Sequence, residues 1–180
     1  MSSILILFAT TEGHTAHIAE RIAQRLRGKG YRVEIHRANA VPASLEPAGY
    51  YGVIVGSSIH YGHHPGYFRA LVRRHRATLI AQPSAFFSVS LSAGGVRAKP
   101  EAARRYLETF LRQVDWHPAQ TATFAGALQY SKYGVFKRLL MRTIAGLAGD
   151  DTDTTRDYEY TDWNAVDRFA DEFAQRLKQA

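Results

Sequence analysis

The sequence predicts a three-layer α/β sandwich, a five-stranded parallel sheet with helices on both faces, and three observations carry that prediction. Apolar runs of strand length alternate with segments of helical periodicity along the chain. Each apolar run closes on small or hydroxyl residues, as in "FATTEGHT", "VGSSIHYGHH" and "SVSLSAGG". That is where a parallel sheet presents the carboxyl ends of its strands and binds ligands. The chain has 180 residues, 46% of them apolar and 22% charged, which suits one globular domain large enough to cover both faces of a sheet.

The elements follow in order. Residues 3–9 form a continuous apolar strand, and residues 15–27 carry Ile18, Ala19, Ile22, Ala23 and Leu26 at helical spacing. The run Gly28-Lys29-Gly30 ends that helix, and "YRVEIHR" alternates as a second strand over 31–37. Residues 50–58 form a third strand, 67–80 a helix closed by Pro83, 84–91 a fourth strand, 100–114 a helix, 121–130 a fifth strand and 163–178 the last helix. Right-handed crossovers join such strands. A short turn would connect the fifth strand to the last helix, so residues 131–157 read as an insertion in a single domain covering 1–180.

Composition removes several functions. Without cysteine there is no disulfide framework, thiolate nucleophile or iron–sulfur cluster, so any redox chemistry needs a bound cofactor. The N-terminus has no basic leader with a cleavage site, and its apolar run is too short to span a bilayer, which predicts a cytoplasmic protein. The net charge is +7, and nine cations against three acids lie between Arg97 and Arg142. Such a patch attracts nucleic acid, anionic lipid or an acidic ligand. No nucleic-acid reading motif accompanies it.

"TTEGHT", at the seam between the first strand and its helix, predicts a phosphate site. Helical N–H groups there lack internal partners, and the helix dipole is positive. Thr10, Thr11 and Thr15 add hydroxyls, Gly13 lets the backbone curl, and no lysine is present to serve a nucleoside triphosphate. Glu12 would repel a phosphate, so it is expected to point away or to cap the helix. "SSIHYGHH" offers small residues at Ser57 and Ser58, backbone donors, and Tyr61 as a stacking partner for a flat ring. His60, His63 and His64 have no carboxylate or cysteine at ligand spacing, so no metal is expected and surface or substrate-side roles are. Asp150, Asp151 and Asp153 lack the spacing of a calcium loop.

"TTEGHT" resembles the flavodoxin phosphate loop, T/S-x-T-G-x-T, with Glu12 in place of a threonine. "GSSIHYGHH", "PSAFFSVSL", "FAGALQYSKYGVFKRLLM" and "GDDTDTTRDYEYTDW" together resemble the flavodoxin-like, FMN- and quinone-dependent protoporphyrinogen oxidases of haem synthesis, over nearly the whole chain. The resemblance implies FMN held by the first loop (Thr10, Thr11, Glu12, Gly13, His14, Thr15) and the second (Ser57, Ser58, Ile59, His60, Tyr61, Gly62). It also implies contacts from the third loop (Ser88, Val89, Ser90, Leu91, Ser92) and from Gly126, Ala127, Leu128, Tyr130 and Asp153. Oxidation of protoporphyrinogen IX with electrons passed to a membrane quinone, menaquinone or ubiquinone, is the implied reaction.

The residues of the insertion bear on this. On a helical wheel of residues 135–148, Phe136, Leu139, Leu140, Ile144 and Leu147 fall on one side and Lys137, Arg138 and Arg142 on the other. A cationic amphipathic helix lies on an anionic membrane, covers a greasy anionic ligand, or packs on its own domain. A porphyrinogen, apolar with two propionates, calls for a basic rim, for which His63, His64, Arg97, Lys99, Lys132 and Arg138 are candidates. No catalytic acid or base stands out; His60 is the weak candidate. The alternatives are an FMN-dependent NAD(P)H:quinone reductase and an electron-carrier flavodoxin, the latter at odds with a pI of 9.8.

Overall fold

β1 (Ser3–Ala9) occupies the middle of a five-stranded parallel sheet of order β2-β1-β3-β4-β5, with β2 at Arg32–Arg37, β3 at Gly52–Ser58, β4 at Ser84–Ser90 and β5 at Gln120–Ala125. The computed structural model describes residues 2–94, 98–128 and 158–179. The expectations for Arg97, Tyr130, Lys132, Arg138, Asp153 and the amphipathic segment 135–148 lie outside the described residues.

The alternation of β1 side chains makes the layers. Ile4, Ile6 and Phe8 face α1 (His14–Arg27), and Leu5, Leu7 and Ala9 face the opposite way. The first layer is completed by Ile18, Ile22 and Leu26 of α1 with Val166, Phe169 and Phe173 of the C-terminal helix. The second is filled by Phe68 and Val72 of α2 (Gly66–Arg74), Leu79 of α3 (Arg76–Ala81), and Leu107, Phe110 and Val114 of α4 (Pro100–Val114). Helices on both faces explain why β1, β3 and β4 read as unbroken apolar runs. Burying a side chain the size of Ile or Phe contributes about 1.5–3 kcal/mol, so these two layers dominate the stability of the domain.

Two predicted elements divide. The helix expected over 67–80 breaks at His75, whose backbone (φ −101°, ψ 13°) leaves the helical region between α2 and α3. The fifth strand, expected over 121–130, leaves the sheet at Gly126. Its continuation, β6 (Ala127–Leu128), pairs antiparallel with β7 (Tyr158–Glu159), which brings the chain beyond the insertion back beside the sheet. Next comes α5 (Trp163–Leu177), capped by the Asp162 carboxylate, which accepts from the Ala165 N–H at 3.1 Å. Arg21 and Arg25 of α1 each make two bonds to a carboxylate of α5, Asp167 and Asp171 respectively, at 2.7–2.8 Å.

Candidate active site

The carboxyl ends of β1, β3 and β4 converge on a cavity of about 360 Å³, within the range of small-molecule sites. Thr10, Glu12, His14 and Thr15 line it from the first loop, Ser58 to Gly62 from the second, Val89 to Ser92 from the third, and Gly126 and Ala127 from the break after β5. Fifteen of the residues expected around a cofactor thus meet in one place. Of the others, Thr11 is exposed, Gly13 precedes α1, Ser57 and Ser88 are buried in their strands, and Leu128 is paired with Tyr158.

One end of the cavity is built at the start of α1. Gly13 has φ 96°, in the left-handed region, and its N–H donates to Thr10 Oγ1 at 2.9 Å, so the chain turns into the helix without a side-chain cap. The Thr15 hydroxyl, on a residue 1% exposed, has no hydrogen-bond partner among the described residues, and neither does the buried Ser58 hydroxyl. A buried hydroxyl left unpaired costs about 1–3 kcal/mol. Two such groups lining one cavity beside a helix N-terminus fit an anionic, oxygen-rich ligand that would accept from both.

Glu12 corrects an expectation. It does not point away: it lines the cavity, and its Oε1 lies 3.9 Å from His60 Nε2. His14 is 6% exposed, and its Nε2 lies 2.6 Å from Thr161 Oγ1, which itself donates to the Ala125 carbonyl at 2.9 Å. The return of the chain from β7 to α5 is thereby tied to the first loop.

The flat wall comes from a tight hairpin. His60 and His63 exchange both backbone hydrogen bonds, at 2.9 and 3.0 Å, and the residues between them, Tyr61 and Gly62, have φ of 47° and 80°. Two consecutive positive φ values are those of a type I′ turn. The conformation suits glycine and strains tyrosine by about 1–2 kcal/mol. Strain of this order is retained where surrounding structure enforces it, often at functional sites. Here the turn holds the Tyr61 ring 87% exposed at the rim of the cavity.

The three expected rim residues that the structure describes separate. His63 and Lys99 are exposed, Lys99 immediately before α4. His64 is the correction: it is 7% exposed, with its ring centroid 4.7 Å from that of Phe110 and 5.5 Å from that of Phe86. Burial lowers its pKa to about 3, so it is neutral and cannot offer a cation to a carboxylate. "HYGHH" on its own does not reveal that the type I′ turn sends His63 outward and the next residue into the core. Tyr106 was missed altogether. It reaches the cavity from α4, and a methyl group at Gly62 would stand 3.8 Å from its ring. It lies within a helix whose sequence signal is purely amphipathic, so only the packing of α4 on the second loop places it.

The fold and the family are settled by comparison. A family profile described as a flavodoxin domain matches residues 5–155. Among solved structures, oxidised flavodoxin 2 of Bacillus cereus superposes with a TM-score of 0.60 at 19% identity, covering 97% of this chain and 99% of that one. A short-chain flavodoxin associated with a bacterial microcompartment superposes at 0.62 with 10% identity, covering 98% and 99%. These likenesses establish the fold, and with the domain match they make the cofactor a flavin. The protoporphyrinogen IX dehydrogenase [quinone] of Leishmania major is 40% identical over 174 residues, 94% of this chain and 74% of its own. The protein of the same description from Escherichia coli K12 is 36% identical over 172 residues, 94% of this chain and 93% of its own. The domain match and relatedness along almost the entire length agree: this chain belongs to the flavodoxin-like quinone-dependent protoporphyrinogen IX dehydrogenases.

Proposed function

We propose that this chain oxidises protoporphyrinogen IX to protoporphyrin IX with FMN as its cofactor, and delivers the electrons to a membrane quinone while attached to the cytoplasmic face of the cell membrane. The observation that carries the cofactor is the pair of buried hydroxyls without a partner among the described residues, Thr15 in the first turn of α1 and Ser58 at the end of β3, which line the same cavity. A phosphate monoester placed there would accept from both and from the first helical N–H groups. When bound, FMN supplies the capacity to take up electrons from the substrate and to return them to a quinone.

The chain's own residues bind, orient and screen. Thr10 and Thr15 hold the anionic end, the Tyr61 ring offers an aromatic face to the ring system, and Val89 and Leu91 supply apolar walls that keep water from it. His60 is half-buried at the cavity with Glu12 at 3.9 Å, and its Nε2 is placed to hold a proton released by the substrate. For the membrane, support comes from the sequence alone: Lys137, Arg138 and Arg142 opposite an apolar stripe. Among the described residues no helix is long and apolar enough to cross a bilayer.

Anaerobic mixing of the flavin-loaded protein with protoporphyrinogen IX tests the reaction. The visible band of the oxidised flavin is expected to bleach and to return on adding menaquinone or ubiquinone. A flavin that stays oxidised with this substrate but bleaches with NADPH assigns a nicotinamide-dependent quinone reductase instead. Flotation with anionic vesicles tests the attachment, and replacing Lys137, Arg138 and Arg142 by Glu is expected to abolish it.

A further inference from the structure

A second cavity, of about 330 Å³, adjoins the first and shares two of its walls, Gly62 and Tyr106. One stripe of α4 builds it. Ala102, Arg105, Tyr106, Thr109, Phe110 and Gln113 recur at the spacing of a single helix face, and the hairpin supplies Gly62, His63 and His64 opposite.

The chemistry of this lining is one-sided. Its floor is aromatic and uncharged, because Phe110 and neutral His64 pack against each other there. Its polar groups are donors. Gln113 spends its Oε1 on Arg69 Nη1 at 2.9 Å, which leaves the amide N–H groups, and Thr109 Oγ1 accepts from Arg112 Nη2 at 3.2 Å, which leaves the hydroxyl proton. Arg105 is exposed and, among the described residues, makes no ion pair, whereas Arg104, one residue earlier, is held by Glu108 at 2.8 Å. No acidic residue lines the cavity.

A guanidinium without a counter-ion, with amide, hydroxyl and imidazole donors around an apolar floor, is complementary to a carboxylate on a short aliphatic arm. We propose that this cleft binds a propionate side chain of the porphyrinogen through Arg105, with Tyr106 as the shared wall against which the macrocycle reaches the flavin cavity. The inference rests on the substrate assigned above. It adds a specificity-determining residue from α4, outside the loops and the insertion where the basic rim was expected.

Binding and turnover of Arg105 variants test it. Flavin-loaded wild type is expected to bind protoporphyrin IX, followed by quenching of porphyrin fluorescence. Arg105→Glu is expected to weaken that binding about tenfold or more, the loss of one charge-assisted hydrogen bond, with flavin content unchanged. Arg105→Lys should retain most of the affinity, and the porphyrin dimethyl ester should bind wild type and Arg105→Glu alike. In turnover the KM for protoporphyrinogen IX should rise about as much, with kcat within about twofold and the KM for quinone unmoved. Equal porphyrin affinity in wild type and Arg105→Glu, or an equal loss for acid and ester, would overturn the inference. A wild type that binds the diacid through Arg105 yet never reduces its flavin would overturn the enzymatic reading and leave the cleft standing.

Discussion

Glu12 Oε1 and His60 Nε2 stand 3.9 Å apart, joining the loop after β1 to the loop after β3 within the walls of one cavity. In the proposed function the pair sets a carboxylate near the phosphate, with an imidazole next to that carboxylate. At the effective dielectric of a partly buried site, repulsion between that carboxylate and a phosphate is worth about 1–3 kcal/mol. Glu12→Thr, which restores the usual flavodoxin residue, is therefore expected to tighten FMN about fivefold to a hundredfold, and His60→Ala to weaken it. Titration calorimetry with FMN measures both, and an unchanged Kd for Glu12→Thr would show that the carboxylate does not face the phosphate.

The Thr15 hydroxyl makes its own prediction, because it is buried without a partner among the described residues. Thr15→Val keeps the shape of the side chain and removes the donor. FMN affinity is expected to fall about tenfold, the worth of one hydrogen bond to a charged acceptor, while riboflavin, which has no phosphate, binds both proteins equally. Thr10→Glu and Thr15→Glu should abolish FMN binding with the far-ultraviolet circular dichroism intact. Retention of FMN by the Glu variants would displace the phosphate from this loop.

What was legible in the sequence was what local pattern encodes. The unbroken runs of β1, β3 and β4 announce strands buried on both faces, and "TTEGHT" announces the tight turn into α1 because its glycine and the Thr10 hydroxyl act within one turn. What escaped depends on packing between distant segments. Glu12 reads as a residue that should avoid the site until His60 is seen beside it. His64 reads as one of three similar histidines until Phe68, Phe86 and Phe110 are found around its ring. Arg105 and Tyr106 are two more members of an amphipathic helix until α4 is laid against the hairpin. Nothing in a strand-length apolar run foretells that Gly126 will end β5 and let Tyr158 return to pair with Leu128.

Tyr61 trades backbone strain for an exposed ring. Its φ of 47° is accommodated by glycine at no steric cost, so Tyr61→Gly should relieve about 1 kcal/mol of strain, offset in part by glycine's greater freedom in the unfolded chain. The variant without flavin is expected to be at least as stable as wild type toward urea, while FMN affinity falls by about 1 kcal/mol, or fivefold, through loss of the aromatic stack. Tyr61→Phe should keep the affinity. A Tyr61→Gly protein that binds FMN as wild type does would remove the ring from the cofactor's face.

His64 makes stability depend on pH in a direction fixed by its burial. The folded state holds its pKa at about 3, against the ordinary 6.5 in the unfolded chain. Between those values the unfolded state takes up a proton that the folded state refuses, so acidification favours unfolding. Lowering the pH from 7 to 5 is expected to cost about 2 kcal/mol, about 1.4 kcal/mol for each unit below the unfolded pKa. His75, whose pKa is also lowered, first by burial and then by Arg74, adds a contribution of the same sign. The decisive quantity is therefore the difference in pH slope between wild type and His64→Gln, each measured by urea unfolding across that interval. His64→Gln is expected to unfold at lower urea at every pH because its amide replaces an imidazole packed on Phe110, and its slope should be shallower. Parallel slopes would mean that the imidazole is protonated in the folded protein, and the aromatic floor beneath Arg105 would then carry a charge.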